Sequence, residues 1–206
     1  DGYFPHGQLT LAGDYLYGMT AYGGSHSNGT IFKIKTDGTD YSILRSLSVA
    51  DGGSPLGGLT AAGSTLYGMT RNGGTYSLGT IFSIGIDGSD FTILHEFSGP
   101  TTDGGISAGS NLLLSGSTFY GMTYIGGTAD AGTLFSMDVN GGNFTILHSF
   151  TGSGTGGASP VGSLVLSNDK LYGMTPYDNT SGDDGLIFEF DLSDNELSWT
   201  RLFDGT

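Results

Sequence analysis

Apolar residues in this chain come in short runs, and each run is closed by Gly, Asp, Ser or Asn. The runs recur in sets of four. One set contains Leu16-Tyr17-Gly18-Met19-Thr20, and the same stretch returns at 66–70, as Phe119-Tyr120-Gly121-Met122-Thr123, and at 171–175. A Gly-Gly pair follows at Gly23-Gly24, Gly73-Gly74 and Gly126-Gly127, and an apolar run then opens at Gly29, Gly79, Gly132 and Gly185. Self-similarity at a fixed period is the mark of a repeat architecture. No stretch carries the 3.6-residue periodicity of a helix.

The pattern predicts four strands per repeat. They lie at 9–12, 15–20, 29–35 and 41–47, then at 59–62, 65–70, 79–86 and 91–97. The third set is 112–114, 118–123, 132–139 and 144–150, and the fourth 164–166, 170–175, 185–192 and 197–203. Gly13-Asp14 and Asp37-Gly38 read as hairpin turns. Residues 1–8 match the later linkers. Successive Tyr-Gly-Met-Thr copies are 50, 53 and 52 residues apart, while the segment from third to fourth strand holds 19 residues in every copy. The variation therefore lies in the linkers, as expected for rigid units joined by tolerant connections.

The strands carry apolar residues on both faces: Leu16, Tyr17 and Met19 in one, Ile31, Phe32 and Ile34 in another. A surface sheet would alternate apolar and polar; a sheet covered on both sides need not. This predicts an all-β chain, a four-bladed β-propeller of four-stranded antiparallel blades with about 50 residues per repeat. The expected organisation is one domain over 1–206, with repeats at 1–50, 51–103, 104–156 and 157–206. Mid-strand glycines such as Gly18 call for a bulky neighbour, and Tyr17 or Phe32 of the adjacent blade is the expected one. Joined head to tail, the two ends match the first linker in length. That fits a closed ring, one unit of a longer array, or a subunit of a head-to-tail filament.

The pattern LYGMT, GG, GTIF, DG, ILxxF, DGxxP resembles the GloVer-type tandem repeat of large secreted bacterial proteins, and more loosely is similar to kelch repeats. The resemblance covers essentially the whole chain. It implies an extracellular or cell-surface, propeller-like array, often with a separate anchoring domain, and it implies no established activity. Repeat four departs from the pattern, with Asp178-Asn179 in place of Gly-Gly and Trp199 in the slot of Ile43, Ile93 and Ile146.

Composition narrows the functions. Glycine accounts for 39 of 206 residues and falls at fixed places between apolar runs, so it reads as turn chemistry rather than disorder. Six Lys+Arg against 20 Asp+Glu give a net charge of −14. Phosphate backbones need clustered cations, so nucleic acid is not an expected partner, and the same holds for an anionic membrane surface. No run is long enough for a transmembrane helix, and none reads as a signal peptide, so a secreted protein is expected here in mature form. Cysteine is absent, so disulfides do not hold this fold.

Candidate chemistry is sparse. The loop 178–185 is the most acidic, and Asp178, Asp183 and Asp184 are the candidate Ca²⁺ ligands, although the spacing of an EF-hand is missing; a solvated loop is the plainer expectation. Arg45, His95, His148 and Arg201 occupy one slot in the fourth strand of each repeat. An anion site is one reading, and a bond to an Asp of the adjacent linker is the other. No nucleophile elbow or zinc spacing appears, and no enzyme is expected. Tyr22, Tyr76, Tyr124 and Tyr177 lie in the loops between second and third strands, with Tyr3 and Phe4 as further loop aromatics. A closed ring would put the four tyrosines on one rim as a sugar-stacking set, the alternative being that they cover the edge of the core. Asn28-Gly29-Thr30, Asn143-Phe144-Thr145 and Asn179-Thr180-Ser181 match the glycosylation acceptor pattern. The expectation is a non-enzymatic structural or adhesive surface element that self-associates or binds other surface proteins. A carbohydrate-binding propeller is the first alternative and an enzyme the second.

Overall fold

The structure, a computed structural model, describes residues 1–99, 102–106, 109–152, 156–177 and 185–203, apart from the Trp199 side chain. The chain forms two compact units, Asp1–Phe97 and Ser98–Thr206. All regular elements in the described residues are strands, gathered into four antiparallel sheets that follow the repeats.

In the first unit, sheet one holds β1 (Gly2–Pro5), β2 (Thr10–Ala12), β3 (Tyr15–Gly23), β4 (Thr30–Lys35) and β5 (Ser42–Ser46). Sheet two holds β6 (Thr60–Ala62), β7 (Thr65–Met69), β8 (Thr80–Gly85) and β9 (Thr92–Glu96). In the second unit, β10 (Leu113–Ser115), β11 (Thr118–Thr123), β12 (Thr133–Asp138) and β13 (Thr145–Ser149) make sheet three. Sheet four is made of β14 (Val161–Ser167), β15 (Lys170–Thr175), β16 (Leu186–Asp191) and β17 (Glu196–Leu202). Strand order is sequential in sheets two to four, the meander of a propeller blade. The strand β1 was not expected. It pairs with the far half of β3, Tyr3 opposite Tyr22 and Pro5 opposite Thr20. In the other blades that pairing shrinks to single bridges, Gly53 to Asn72, Gly105 to Ile125 and Ala158 to Tyr177.

Two blades pack face to face within each unit. In the first, Leu47 and Ile31 of blade one share a core with Leu59, Leu66, Phe82 and Ile84 of blade two. In the second, Phe150 of blade three meets Phe188 of blade four with ring centroids 5.2 Å apart, among Leu134, Leu171 and Phe190. Each pairing buries one face of each blade, and in β8 the neighbours Ile81 and Phe82, on opposite faces, are both fully buried, so the strand does not alternate.

The mid-strand glycine has a different neighbour from the one expected. Gly18 lies opposite Phe32 of its own sheet, and a Cβ on Gly18 would stand 2.6 Å from Phe32 Cζ and 2.8 Å from Leu9 Cδ2. The ring folds back over the bare glycine of the next strand. The space it fills is within the blade, not between blades, and Gly68, Gly121 and Gly173 repeat the arrangement with Phe82, Phe135 and Phe188.

Where each rim loop begins, two threonine hydroxyls meet inside the sheet. Thr20 and Thr30 are 2.8 Å apart, Thr70 and Thr80 3.0 Å, and Thr123 and Thr133 2.8 Å. The first of each pair also donates to the carbonyl two residues on, at Tyr22, Asn72 and Ile125. Blade four has Leu186 in the second slot, and Thr175 keeps the bond to the Tyr177 carbonyl at 2.9 Å.

Candidate functional site

The rim loop of blade one is fixed from both sides. Thr20 holds the Tyr22 carbonyl. Gly23, with φ +88°, turns the chain where a Cβ would stand 2.7 Å from the Asp1 carbonyl oxygen. This leaves Tyr22 pointing out, 40% exposed, beside Tyr3 at 63% and Phe4 at 56%. The Tyr3 and Tyr22 rings lie 5.5 Å apart and tilted by 31°, Phe4 is 5.8 Å from Tyr22, and His6 stacks on Phe4 at 6.0 Å. His6 Nδ1 is 3.2 Å from the Leu56 carbonyl, which ties the end of the cluster to blade two.

Phe4 has φ +62°. A bulky residue in the left-handed region costs about 1–2 kcal/mol. The same slot is left-handed in every blade, with φ +48° at Ser54, +53° at Ile106 and +55° at Ser159. The backbone is thus a property of the repeat, and blade one places an exposed aromatic ring on it. The preceding slot, Tyr3, is Gly53, Gly105 and Ala158 in the other blades.

The structure separates the four sequence-predicted tyrosines by slot. Tyr22 and Tyr177 are equivalent, each across from the segment that leads into its blade. Tyr177 is 40% exposed and faces Ala158 instead of an aromatic partner. Tyr76 is exposed at the tip of its loop, in the slot of His26, and Tyr124 is half-buried in the slot of Ala21 and Arg71. Among the described residues, the ring contacts of this set are those of Tyr22. The Asp178, Asp183 and Asp184 set lies outside the described residues, as does the Asn179 acceptor site.

The sequence pattern of the Gloeobacter/Verrucomicrobia repeat matches residues 1–206. The chain belongs to the Gloeobacter/Verrucomicrobia repeat family. No curated protein matches it. Among solved structures it is similar to TolB from Acinetobacter baumannii, at 13% identity and TM-score 0.56 over 89% of this chain and 40% of that one. It is similar to the GH74 enzyme of Niastella koreensis at 15% identity and TM-score 0.59, over 90% of this chain and 28% of the other. A europium-containing methanol dehydrogenase matches at 15% identity and TM-score 0.57, over 97% of this chain and 43% of that one. This chain spans less than half the length of each of these three. Such distant likenesses show the fold alone, a β-propeller fold, which this chain builds from four antiparallel sheets.

Within this Gloeobacter/Verrucomicrobia repeat chain, the recurrent Arg/His slot is built into the scaffold in the first three repeats, whereas Arg201 in the fourth is exposed. Arg45 donates through Nη2 and Nε to Asp51 of the following linker, at 2.6 and 3.3 Å, and its guanidinium lies 3.9 Å over the Phe91 ring of blade two. Burial pushes the Asp51 carboxyl up, but the bonds from Arg45 and from the Ser48 amide and hydroxyl outweigh it and hold the group below the usual carboxylate range. His95 and His148 stand edge-on to Phe97 and Phe150, both at 5.1 Å. Of the acceptor sites, Asn28 has its Thr30 fully buried, whereas Asn143 is exposed in the β12–β13 turn. Among the described residues no group of three His, Asp or Glu side chains is placed to hold a metal ion.

Proposed function

We propose that the chain is a non-enzymatic, extracellular or cell-surface adhesive module that attaches to carbohydrate through the aromatic cluster of blade one. The observation that carries this reading is the exposed Tyr3–Phe4–Tyr22 group, seated on a left-handed slot that the other blades fill with Ser or Ile. Aromatic faces stack on the C–H faces of sugar rings, and tyrosine hydroxyls bond their edges. Exposed apolar patches of this kind mark interaction sites. The net charge of −14 turns away polyanions such as nucleic acid, which leaves neutral glycans favoured. Two side chains that could serve in acid–base chemistry are taken up by the scaffold, Asp51 bound to Arg45 and His148 packed against Phe150. That supports the non-enzymatic reading.

Glycan-array binding of the wild-type chain and of a Tyr3→Gly/Tyr22→Asn variant tests it. Both replacements are the residues of blade two, so the backbone is retained. Binding that disappears in the variant supports the proposal. Glycan binding unchanged by the variant, or binding to no glycan, overturns it. Concentration-dependent sedimentation that the same variant abolishes would assign the patch to self-association instead.

A further inference from the structure

Departures from the Thr and Ser of repeats two and three also mark a second place, at the opposite end of β3; repeat four fills the same two slots with the Lys170–Glu189 ion pair. The slot of Tyr15 holds Thr65, Thr118 and Lys170 in later repeats, and the slot of Lys33 holds Ser83, Ser136 and Glu189. Both side chains line one groove of about 330 Å³ between blades one and two, with Tyr17, Asp14 and Asp87 on the other walls. Tyr15 and Tyr22 are seven residues apart along one strand, roughly 20 Å, so this groove and the rim cluster are distinct.

The groove's chemistry follows from who is already engaged. The Tyr15 hydroxyl donates to the Asp40 carboxylate, and Lys35 stands 3.5 Å from the same group. Asp40 is therefore taken. The Lys33 ammonium sits 4.8 Å from the centre of the Tyr15 ring and makes no ion pair among the described residues. The Asp87 Oδ1 accepts from the Ser89 amide and hydroxyl, so the groove offers the Lys33 ammonium as donor, the Asp14 carboxylate and the other Asp87 oxygen as acceptors, and aromatic walls within one space. A ligand that fits carries donors and acceptors together with an apolar face. Two carboxylates against one ammonium leave the groove net negative, which repels an anionic ligand.

We infer that this groove is a second saccharide subsite, taking one neutral hexose unit of a polysaccharide. Lys33 donates to a hydroxyl or ring oxygen, Asp14 and Asp87 accept from hydroxyls, and the half-buried Tyr15 side chain that lines the groove supports the sugar's apolar face. The inference rests on the carbohydrate reading above, but on different residues.

The test uses the full chain with cellohexaose, laminarihexaose and mannohexaose as neutral probes and hexagalacturonate as the anionic one. Amide spectra locate binding and calorimetry measures it. Lys33→Ser and Tyr15→Thr carry the residues of blades two and three in the same slots, and thermal melts confirm that both variants fold. The expected result is that a neutral probe shifts the amides of Gly13 and Gly63 in the groove wall, and that Lys33→Ser weakens binding about tenfold or more. Shifts that stay at Tyr3 and Tyr22, with affinity unchanged in Lys33→Ser, overturn the groove and leave the rim cluster standing. Groove shifts that survive Tyr22→Asn, with array binding also unchanged by Tyr3→Gly/Tyr22→Asn, keep the groove and remove the rim. Stronger groove shifts with hexagalacturonate overturn the assignment to a neutral sugar, and no shift at Gly13 and Gly63 with any neutral probe overturns the inference outright.

Discussion

Adding one methyl group at Gly68 tests the packing rule that every blade shares. Gly68 in β7 lies opposite Phe82 in β8. An alanine Cβ there would stand 2.6 Å from Phe82 Cζ, 3.0 Å from Phe82 Cε1 and 2.9 Å from Leu59 Cδ2. Phe82 is fully buried and Leu59 is 3% exposed, so neither can swing into solvent. Overpacking of this kind costs about 1–3 kcal/mol, and replacing a strand glycine returns about 0.5–1 kcal/mol of chain entropy. The net expectation for Gly68→Ala is a loss of about 1–2 kcal/mol, read as a fall in Tm of roughly 2–8 °C for a chain of this size.

The stability loss alone does not identify the cause, and a double-mutant cycle does. Phe82→Leu shortens the side chain that covers the glycine. If the ring is the obstacle, Gly68→Ala costs little in the Phe82→Leu background, and urea melts give a coupling of about 1 kcal/mol or more. A Gly68→Ala protein as stable as wild type would refute the reasoning. So would a coupling under about 0.5 kcal/mol, within the additivity expected of independent sites.

Two further outcomes follow from buried polar groups. Thr80 is fully buried and donates to the Asp51 carbonyl at 2.9 Å while meeting the Thr70 hydroxyl; Thr80→Val leaves that carbonyl unpaired and is expected to cost about 1–3 kcal/mol in urea melts. His148 has its Nε2 buried with no hydrogen-bond partner among the described residues, beside Phe150 and Phe190, and burial holds its pKa below the ordinary 6.5. The unfolded chain then binds the proton more readily than the folded one. Stability contributed at neutral pH is lost as pH falls from 6.5 toward the lower folded value, and His148→Phe is expected to flatten that part of a melting-temperature profile against pH.

How much of this was legible in the sequence depends on how each register is fixed. The β2–β3 hairpin turns on Gly13-Asp14, and a two-residue turn sets the pairing of Leu11 with Leu16 without further information. The β3–β4 pair is joined by a rim loop from Gly24 to Gly29, which sets no register. The repeats therefore revealed that Gly18 needs a bulky cover, but not that Phe32 of its own sheet supplies it. The same limit hid β1. Its Gly-Tyr-Phe-Pro shows no alternation, and its partner is an extension of β3 beyond Thr20, where the loop was expected to begin. The loop tyrosines were legible as rim residues. Which of them finds an aromatic neighbour was not, because that depends on the linker slot across from each.

A repeat chain supplies its own control for separating scaffold from function. A position filled alike in all four copies answers to the blade: glycine under the phenylalanine ring in every sheet, and threonine paired with threonine wherever the second slot is not Leu186. A larger or charged side chain on backbone that a sister copy builds with Ser, Thr or Gly is not required by the blade. Tyr3 and Phe4 are aromatic in blade one alone, and Tyr15 and Lys33 stand where blades two and three carry Thr and Ser and blade four the Lys170–Glu189 ion pair; all four line an exposed cluster or an open groove rather than a core. The cost of Phe4 in a left-handed slot sharpens the point, because Ser54 and Ser159 show that the turn forms without an aromatic ring. What the blade does not require, and what costs it stability, is where binding should be sought.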